Sequence, residues 1–302
     1  MKKDWKKKYT GKGGLMLLAL VPILWYVVFC YVPMYGVQIA FKKYNPSLGI
    51  IGSPWVGLKY FRQFFESYYF SEITLNTVIL SLFTLVIGFP LPIILALIVN
   101  EIRSPFLKKS VQNITYIPHF LSVVVIVSML NIFSNPTYGF FNDIRQFFGL
   151  APVDLMAKAE YFRPMYVFSN VWQHMGFNSI IYIAALSAID PALYEAATID
   201  GASRLKKILY ISLPSIVPTI MILFIMRIGS IMNVGFEKVL LMQNPINKST
   251  SEIISTFIYT NGIQKGQFSY STAVGLVNSL INCTLLLISN KVSKKLTGSG
   301  LW

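Results

Sequence analysis

Seven residues inside or beside long apolar runs carry groups able to recognise a polar cargo: Trp172, His174, Asn178, Arg227, Asn233, Asn278 and Asn282. Charges within a bilayer are costly and mark functional positions by default. Arg227 is the only charge well inside such a run. Asn178 follows His174 by four residues, so both can share one helical face. A cavity lined by this set offers hydrogen bonds to hydroxyl groups, and Trp172 offers a flat aromatic platform. The amides have a second use, because Asn, Gln and Ser also hold membrane helices together through interhelical hydrogen bonds. Arg227 can likewise pair with another helix or a backbone carbonyl instead of a cargo. If it faces a cavity it favours a carboxylate-bearing ligand, since a guanidinium meets a carboxylate at two points.

A second set runs from Asp190 to Ala202 and on to Pro214, between two apolar runs. Asp190 can cap free N–H groups, and Pro191 fits the first helical position. A short helix from Pro191 to about Ile199 then presents Ala192, Ala196 and Ala197 at close spacing. Small side chains admit close approach by a partner, and Glu195 adds one negative charge for a basic partner residue. Gly201 permits a sharp turn because it has no β-carbon. Arg204 to Tyr210 forms a second short basic helix entering the next run, with Pro214 in a first turn where a missing N–H costs little. Taken alone, Glu-Ala-Ala is only a good helix-forming triplet. As a whole the segment reads as a docking surface for a partner protein.

Other chemistry is poorly supported. His119 and His174 lie on different apolar runs, with no cysteine or carboxylate cluster beside them, which is weak evidence for a metal. Asp143 and Asp154 have turn-like neighbours, and no Ser-His-Asp or paired-carboxylate arrangement is readable. Cys30 and Cys283, the two cysteines, lie in apolar runs and read as reduced packing residues. No Gly-x-x-x-x-Gly-Lys-Ser/Thr phosphate loop occurs, and Gly262-Ile-Gln-Lys-Gly266 does not make one.

The elements that must position these groups are set by composition. Only 13% of the 302 residues are charged and 54% are hydrophobic, against about 25% charged in a typical soluble domain. Lipid is therefore the solvent expected around most of the chain. A crossing helix needs about 20 apolar residues. Six runs qualify: Leu15–Tyr35, Leu75–Val99, Ile114–Phe133, Met165–Ile189, Ile211–Val234 and Thr272–Ser289. Each must be helical, because hydrocarbon has no partners for free backbone groups. The run from Leu15 is too long for a secretory signal core, has no Ala-x-Ala site, and reads as a retained first span behind a basic tail over residues 1–14.

Net charge is +14, from 26 basic and 12 acidic residues. The basic residues cluster beside apolar runs, as membrane topology requires, and not in a nucleic-acid-binding stripe. With loops assigned alternately, the tail, loops 2–3 and 4–5 and the C-terminus hold fifteen Lys and Arg, against ten in three longer loops. Both termini and the Glu195 loop (residues 190–210) are thus expected in the cytoplasm. The outer loops, about Gly36–Thr74, Ser134–Pro164 and Gly235–Ser271, hold aromatic residues such as Tyr60, Phe64 and Tyr68. These fit headgroup anchoring or, alternatively, docking of an external binding protein. No repeat or low-complexity linker divides the chain, so residues 1–302 read as one all-α membrane domain.

Glu195, Ala196, Ala197, Gly201, Ile211, Leu213 and Pro214 stand at the spacing of the coupling-loop motif of ABC importer permeases, which the chain resembles. Pro33-Met-Tyr-Gly36, Gly52-Ser-Pro-Trp-Val-Gly57, Tyr116-Ile-Pro-His-Phe120, Trp172 through Asp190, Val234-Gly-Phe-Glu-Lys238 and Gly300-Leu-Trp302 resemble one subclass of the maltose-importer-like family. That subclass handles complex oligosaccharides released from polysaccharides, and for such a cargo Trp172 would be a platform for a sugar ring and Arg227, facing a cavity, would favour a uronic acid. The resemblance implies a type I importer permease fold in the bacterial cytoplasmic membrane, working by alternating access. It implies a second, related permease, two ATPase subunits carrying ATP and Mg, and an extracytoplasmic solute-binding protein, with no cofactor in this chain. Tyr194, Glu195, Ala196, Ala197, Asp200, Gly201, Ala202, Leu213 and Pro214 would form the ATPase-coupling site. An ion-coupled secondary transporter would need intramembrane carboxylates and often inverted repeats. A membrane-embedded enzyme would need a clustered catalytic constellation. The sequence shows neither.

Overall fold

A computed structural model of the chain describes residues 13–298, 300 and 301. Most of the basic tail expected over residues 1–14 lies outside the described residues, as does Trp302. Among the described residues the structure is helical, with two isolated β-bridges, Lys42 to Trp55 and Asn45 to Gly49.

Among the described residues, four helices are long and apolar enough to cross a membrane: α1 (Met16–Phe41), α2 (Tyr69–Glu101), α7 (Arg204–Gly229) and α9 (Phe268–Lys295). Two bent pairs bring the number of spans to as many as six. α3 (Pro105–Phe120) meets α4 (Val123–Phe133) at 98°, and α5 (Ala159–Ser187) meets α6 (Pro191–Ile199) at 70°. Between α7 and α9 lies the short helix α8 (Phe236–Met242).

Two of the expected runs bend or end within their bounds, for local causes, the bend falling at Pro118, where a proline inside a span predicts one. The run Ile114–Phe133 is not one straight crossing. Pro118 sits in a 3₁₀ turn over Ile117–Phe120, and Ser122 then starts a new helix by accepting the Val125 N–H at 3.3 Å. The run Ile211–Val234 also ends early, since α7 stops at Gly229 and residues 230–235 form an irregular turn. Cys283 is exposed in the chain taken alone instead of packed, and Cys30 is half-buried.

Two π-helical turns, Val27–Tyr31 in α1 and Ile208–Ser212 in α7, each end shortly before a proline, Pro33 and Pro214. Proline has no N–H, and its ring crowds the carbonyl four residues back. The wider turn relieves that conflict without ending the helix.

The chain comprises two compact units. One consists of residues 1–66 and 260–276. In it Phe41 stacks on Trp55 with ring centroids 5.6 Å apart, and the Ser269 hydroxyl donates to Lys42 O at 2.7 Å while accepting the Tyr44 N–H. The other consists of residues 67–259 and 277–302. Its main core gathers Leu80 from α2, Ile126 and Leu130 from α4, Phe162 and Val167 from α5, and Val239 from α8. A second cluster joins Ala96, Tyr182, Leu186 and Ile216. At Gly176 a β-carbon would collide with the Thr115 backbone carbonyl, so α3 and α5 approach as closely as glycine allows.

Candidate functional site

Helices α2, α5 and α7 surround a cavity of about 570 Å3. Helical periodicity decides which side chains reach it. α2 supplies Ser81, Thr84, Gly88 and Pro92 along one stripe. α5 supplies Tyr166, Asn170, His174 and Asn178, each four residues after the last, and α7 supplies Leu223, Met226 and Arg227. No carboxylate lines the cavity. Arg227, its one charged group, forms no salt bridge with any described residue.

The irregular turn after α7 forms part of the wall, contributing Ile231, Asn233, Val234 and Gly235. At membrane depth such backbone survives only where its polar groups find partners in protein or a wet cavity. Here they do. Ile231 O accepts from Ser81 Oγ at 2.6 Å, and the Met232 N–H donates to Asn282 Oδ1 at 3.0 Å. The Gly235 N–H donates to the Tyr166 hydroxyl at 3.1 Å. Asn278 and Asn282 both donate to Asn233 Oδ1, at 3.0 and 3.1 Å. The two uses foreseen for the amides are thus divided between residues: Asn233 lines the cavity, while Asn278 and Asn282 hold it there.

Of the seven pathway residues inferred from sequence, four line the cavity: His174, Asn178, Arg227 and Asn233. Trp172 does not and is 47% exposed in the chain taken alone. It therefore gives this cavity no aromatic platform, and the aromatic wall is Phe89, Tyr166 and Tyr182 instead. Sequence reasoning passed over Ser81, Thr84 and these rings. The available signal was the small and polar stripe at 81, 84, 88 and 92 in an otherwise Leu-, Ile- and Val-rich run.

The two histidines, distant in sequence, meet in space. His119 Nδ1 lies 3.1 Å from His174 Nδ1, and His119 stacks on Phe177 at 3.8 Å between centroids. No group of three or more His, Cys, Asp or Glu residues placed to hold a metal occurs among the described residues.

Lys238 on α8 was also passed over. Its side chain is buried, 3% exposed. The ammonium lies 3.4 Å from Gln173 Oε1 and 5.9 Å from the centre of the Tyr166 ring. Gln173 in turn donates to Leu121 O, a carbonyl at the bend between α3 and α4, at 3.2 Å. Burial pulls the Lys238 ammonium down from 10.5 to about 8.

The Asp190–Pro214 segment folds as its residue types suggest. Asp190 caps α6 by accepting the Ala192 N–H at 2.9 Å. Gly201 ends the helix at φ 74°, with Ala202 N–H donating to Ala197 O and Gly201 N–H to Thr198 O. That pairing closes a Schellman motif and explains the glycine. Glu195, Ala196 and Asp200 are exposed, while Tyr194, Ala197, Ala202 and Leu213 are half-buried. Pro214 lies exposed in the first turn after the π-helical stretch.

Residues 88–298 match the family described as binding-protein-dependent transport system inner membrane component. The chain is 42% identical over 295 residues, 98% of its length and 92% of the relative's, to the polygalacturonan/rhamnogalacturonan transport system permease protein YteP of Bacillus subtilis. It is 41% identical to protein LplB of the same organism, covering 99% of this chain and 94% of that one. Among solved structures it matches a chain of a bacterial ABC transporter involved in the import of the acidic polysaccharide alginate. The TM-score is 0.90 at 39% identity, covering 98% of this chain and all of that one. A second structure of a bacterial alginate ABC transporter, in complex with its alginate pentasaccharide-bound periplasmic protein, matches equally well. With a family match over more than half its length and two relatives above 40% identity, the chain belongs to the binding-protein-dependent transport system inner membrane components, the multi-pass permease subunits of ABC importers.

Proposed function

We propose that this chain is the permease subunit of an ATP-driven importer that carries acidic oligosaccharides across the cytoplasmic membrane by alternating access. One observation carries the cargo assignment: Arg227 lines a cavity that contains no carboxylate. A guanidinium without an internal partner, among Asn, Ser, Thr and His side chains, suits a ligand with both hydroxyl and carboxylate groups. Cargoes named for similar proteins, polygalacturonan and alginate, agree with this.

In this reading the chain crosses the membrane six times with both termini in the cytoplasm, as the fifteen-to-ten division of Lys and Arg favours. It pairs with a second, related permease. Two cytoplasmic ATPases bind ATP and Mg and engage α6 through Glu195, Ala196, Ala197 and the Asp200–Ala202 turn, with Leu213 and Pro214 at the base of α7. An extracytoplasmic binding protein delivers the oligosaccharide. His174, Asn178, Arg227 and Asn233 line its path, Asn278 and Asn282 fix Asn233, and Trp172 belongs to the same helix on another side.

Binding tests the cargo assignment. The purified transporter complex should bind tetragalacturonate more tightly than its fully methyl-esterified form, and Arg227→Gln should markedly reduce that preference. Equal loss of affinity for both ligands in the variant would overturn the acidic assignment.

A further inference from the structure

Lys238 is a buried cation with no salt-bridge partner among the described residues. Lysine is rarely this buried unless it is paired, and an uncompensated buried charge is destabilising. It donates to the neutral Gln173 carbonyl at 3.4 Å, and none of the salt bridges among the described residues includes it. At 3% exposure in the chain taken alone, it leaves almost no surface for a partner subunit to supply a counter-ion.

Its position suggests where a counter-charge comes from. The ammonium sits 5.9 Å from the centre of the Tyr166 ring, and Tyr166 lines the cavity. The Tyr166 hydroxyl accepts from the N–H of Gly235, another wall residue, three positions before Lys238 in the chain. The lysine is thus one side chain behind the wall. Gln173 fixes it there, anchored by its own bond to Leu121 O. The Tyr166 ring stands between the charge and the cavity, and a charge buried in protein is screened less than one in water.

We propose that Lys238 is a specificity-determining residue, a second positive charge that favours anionic oligosaccharides in the cavity from behind Tyr166, without touching them. This rests on the assignment of an acidic cargo and adds to it a residue outside the cavity lining. Arg227 supplies direct pairing, and Lys238 supplies a field that needs no particular sugar geometry. Around it, His174, Arg227 and the Tyr166 hydroxyl carry no negative charge at neutral pH, and Glu237, the one carboxylate on α8, is exposed and forms no salt bridge with it.

The test compares tetragalacturonate with its methyl ester on the assembled transporter complex carrying Lys238→Met, with Lys238→Gln as a second neutral variant and Arg227→Gln in parallel. Both Lys238 variants should bind tetragalacturonate roughly fivefold to tenfold more weakly, the size of one screened charge interaction, and the ester as before. A purely structural lysine would change both ligands together or neither, and either result overturns the inference. If only one Lys238 variant assembles, its ratio of the two affinities decides. If neither assembles, the wild-type affinity ratio decides, because a field from a charge titrating outside the cavity must weaken between pH 7 and pH 9.5 for the acid and not for the ester. If Arg227→Gln keeps the full acid preference, the cargo assignment itself fails, whatever the Lys238 variants do.

Discussion

The Tyr194 hydroxyl lies 2.8 Å from Ser212 Oγ. Tyr194 belongs to α6, the proposed docking helix. Ser212 is the buried last residue of the π-turn in α7. Fifteen residues further along α7, Arg227 faces the cavity. One continuous helix therefore carries the joint with α6 near one end and the cavity guanidinium near the other. A second contact, Lys207 Nζ to Thr198 Oγ1 at 2.6 Å, ties the same two elements.

If that joint transmits motion, Tyr194→Phe and Ser212→Ala should each lower uptake per ATP hydrolysed, by about fivefold for loss of one hydrogen bond. The double variant should be no worse than either single one, because both remove the same bond. Additive losses would show that the two side chains act separately.

Gly201 holds α6 at its C-terminal end with φ 74°. A side chain there costs about 1 kcal/mol. Gly201→Ala should lower the thermal unfolding midpoint by about 2–4 °C, and Gly201→Asn by less, since asparagine tolerates this conformation better. Unchanged midpoints for both would remove the role given to the Schellman turn.

The α3–α5 contact makes a contrast between two glycines. At Gly176 an added methyl meets the Thr115 backbone, which cannot swing aside; at Gly88 it meets Val171 Cγ2 at an ordinary 3.6 Å. Gly176→Ala should destabilise the protein by about 1–3 kcal/mol, and Gly88→Ala by under about 0.5 kcal/mol. Thermal unfolding in detergent distinguishes the two.

Burial of Lys238 also predicts a pH dependence of stability. Its ammonium is held at about 8, below the ordinary 10.5. Between those values the unfolded chain binds more protons than the folded one, so stability rises with pH across this window. Below pH 8 the folded state bears the whole penalty, on the order of 3 kcal/mol. Denaturation midpoints should therefore climb from pH 8 towards pH 10.5 in the wild type more steeply than in Lys238→Met. Parallel curves would show that the lysine is not responsible.

Much of this could be read without coordinates, for physical reasons that differ by residue. The apolar runs, the Asp190–Pro191 cap and the Gly201 turn depend on local backbone chemistry, and local chemistry is written in neighbouring residues. Arg227 was legible because lipid makes a lone charge conspicuous. Trp172 lies off this cavity for a helical reason: two residues from His174, it points about 200° around the helix axis. The division of labour among Asn233, Asn278 and Asn282 depends on where α7 stops, which hydropathy does not mark. Lys238 looked like a loop residue, and the His119–His174 contact joins positions 55 residues apart. Such facts belong to tertiary packing, and no sequence spacing announces them.

ATP-dependent uptake of labelled tetragalacturonate into proteoliposomes holding the complete transporter tests the whole account most directly, with the methyl ester and the Arg227→Gln complex in parallel. The account predicts accumulation of the acid that requires ATP, and a selective fall in acid uptake when Arg227 is replaced. Accumulation without ATP, or uptake of acid and ester that responds identically to Arg227→Gln, would contradict it.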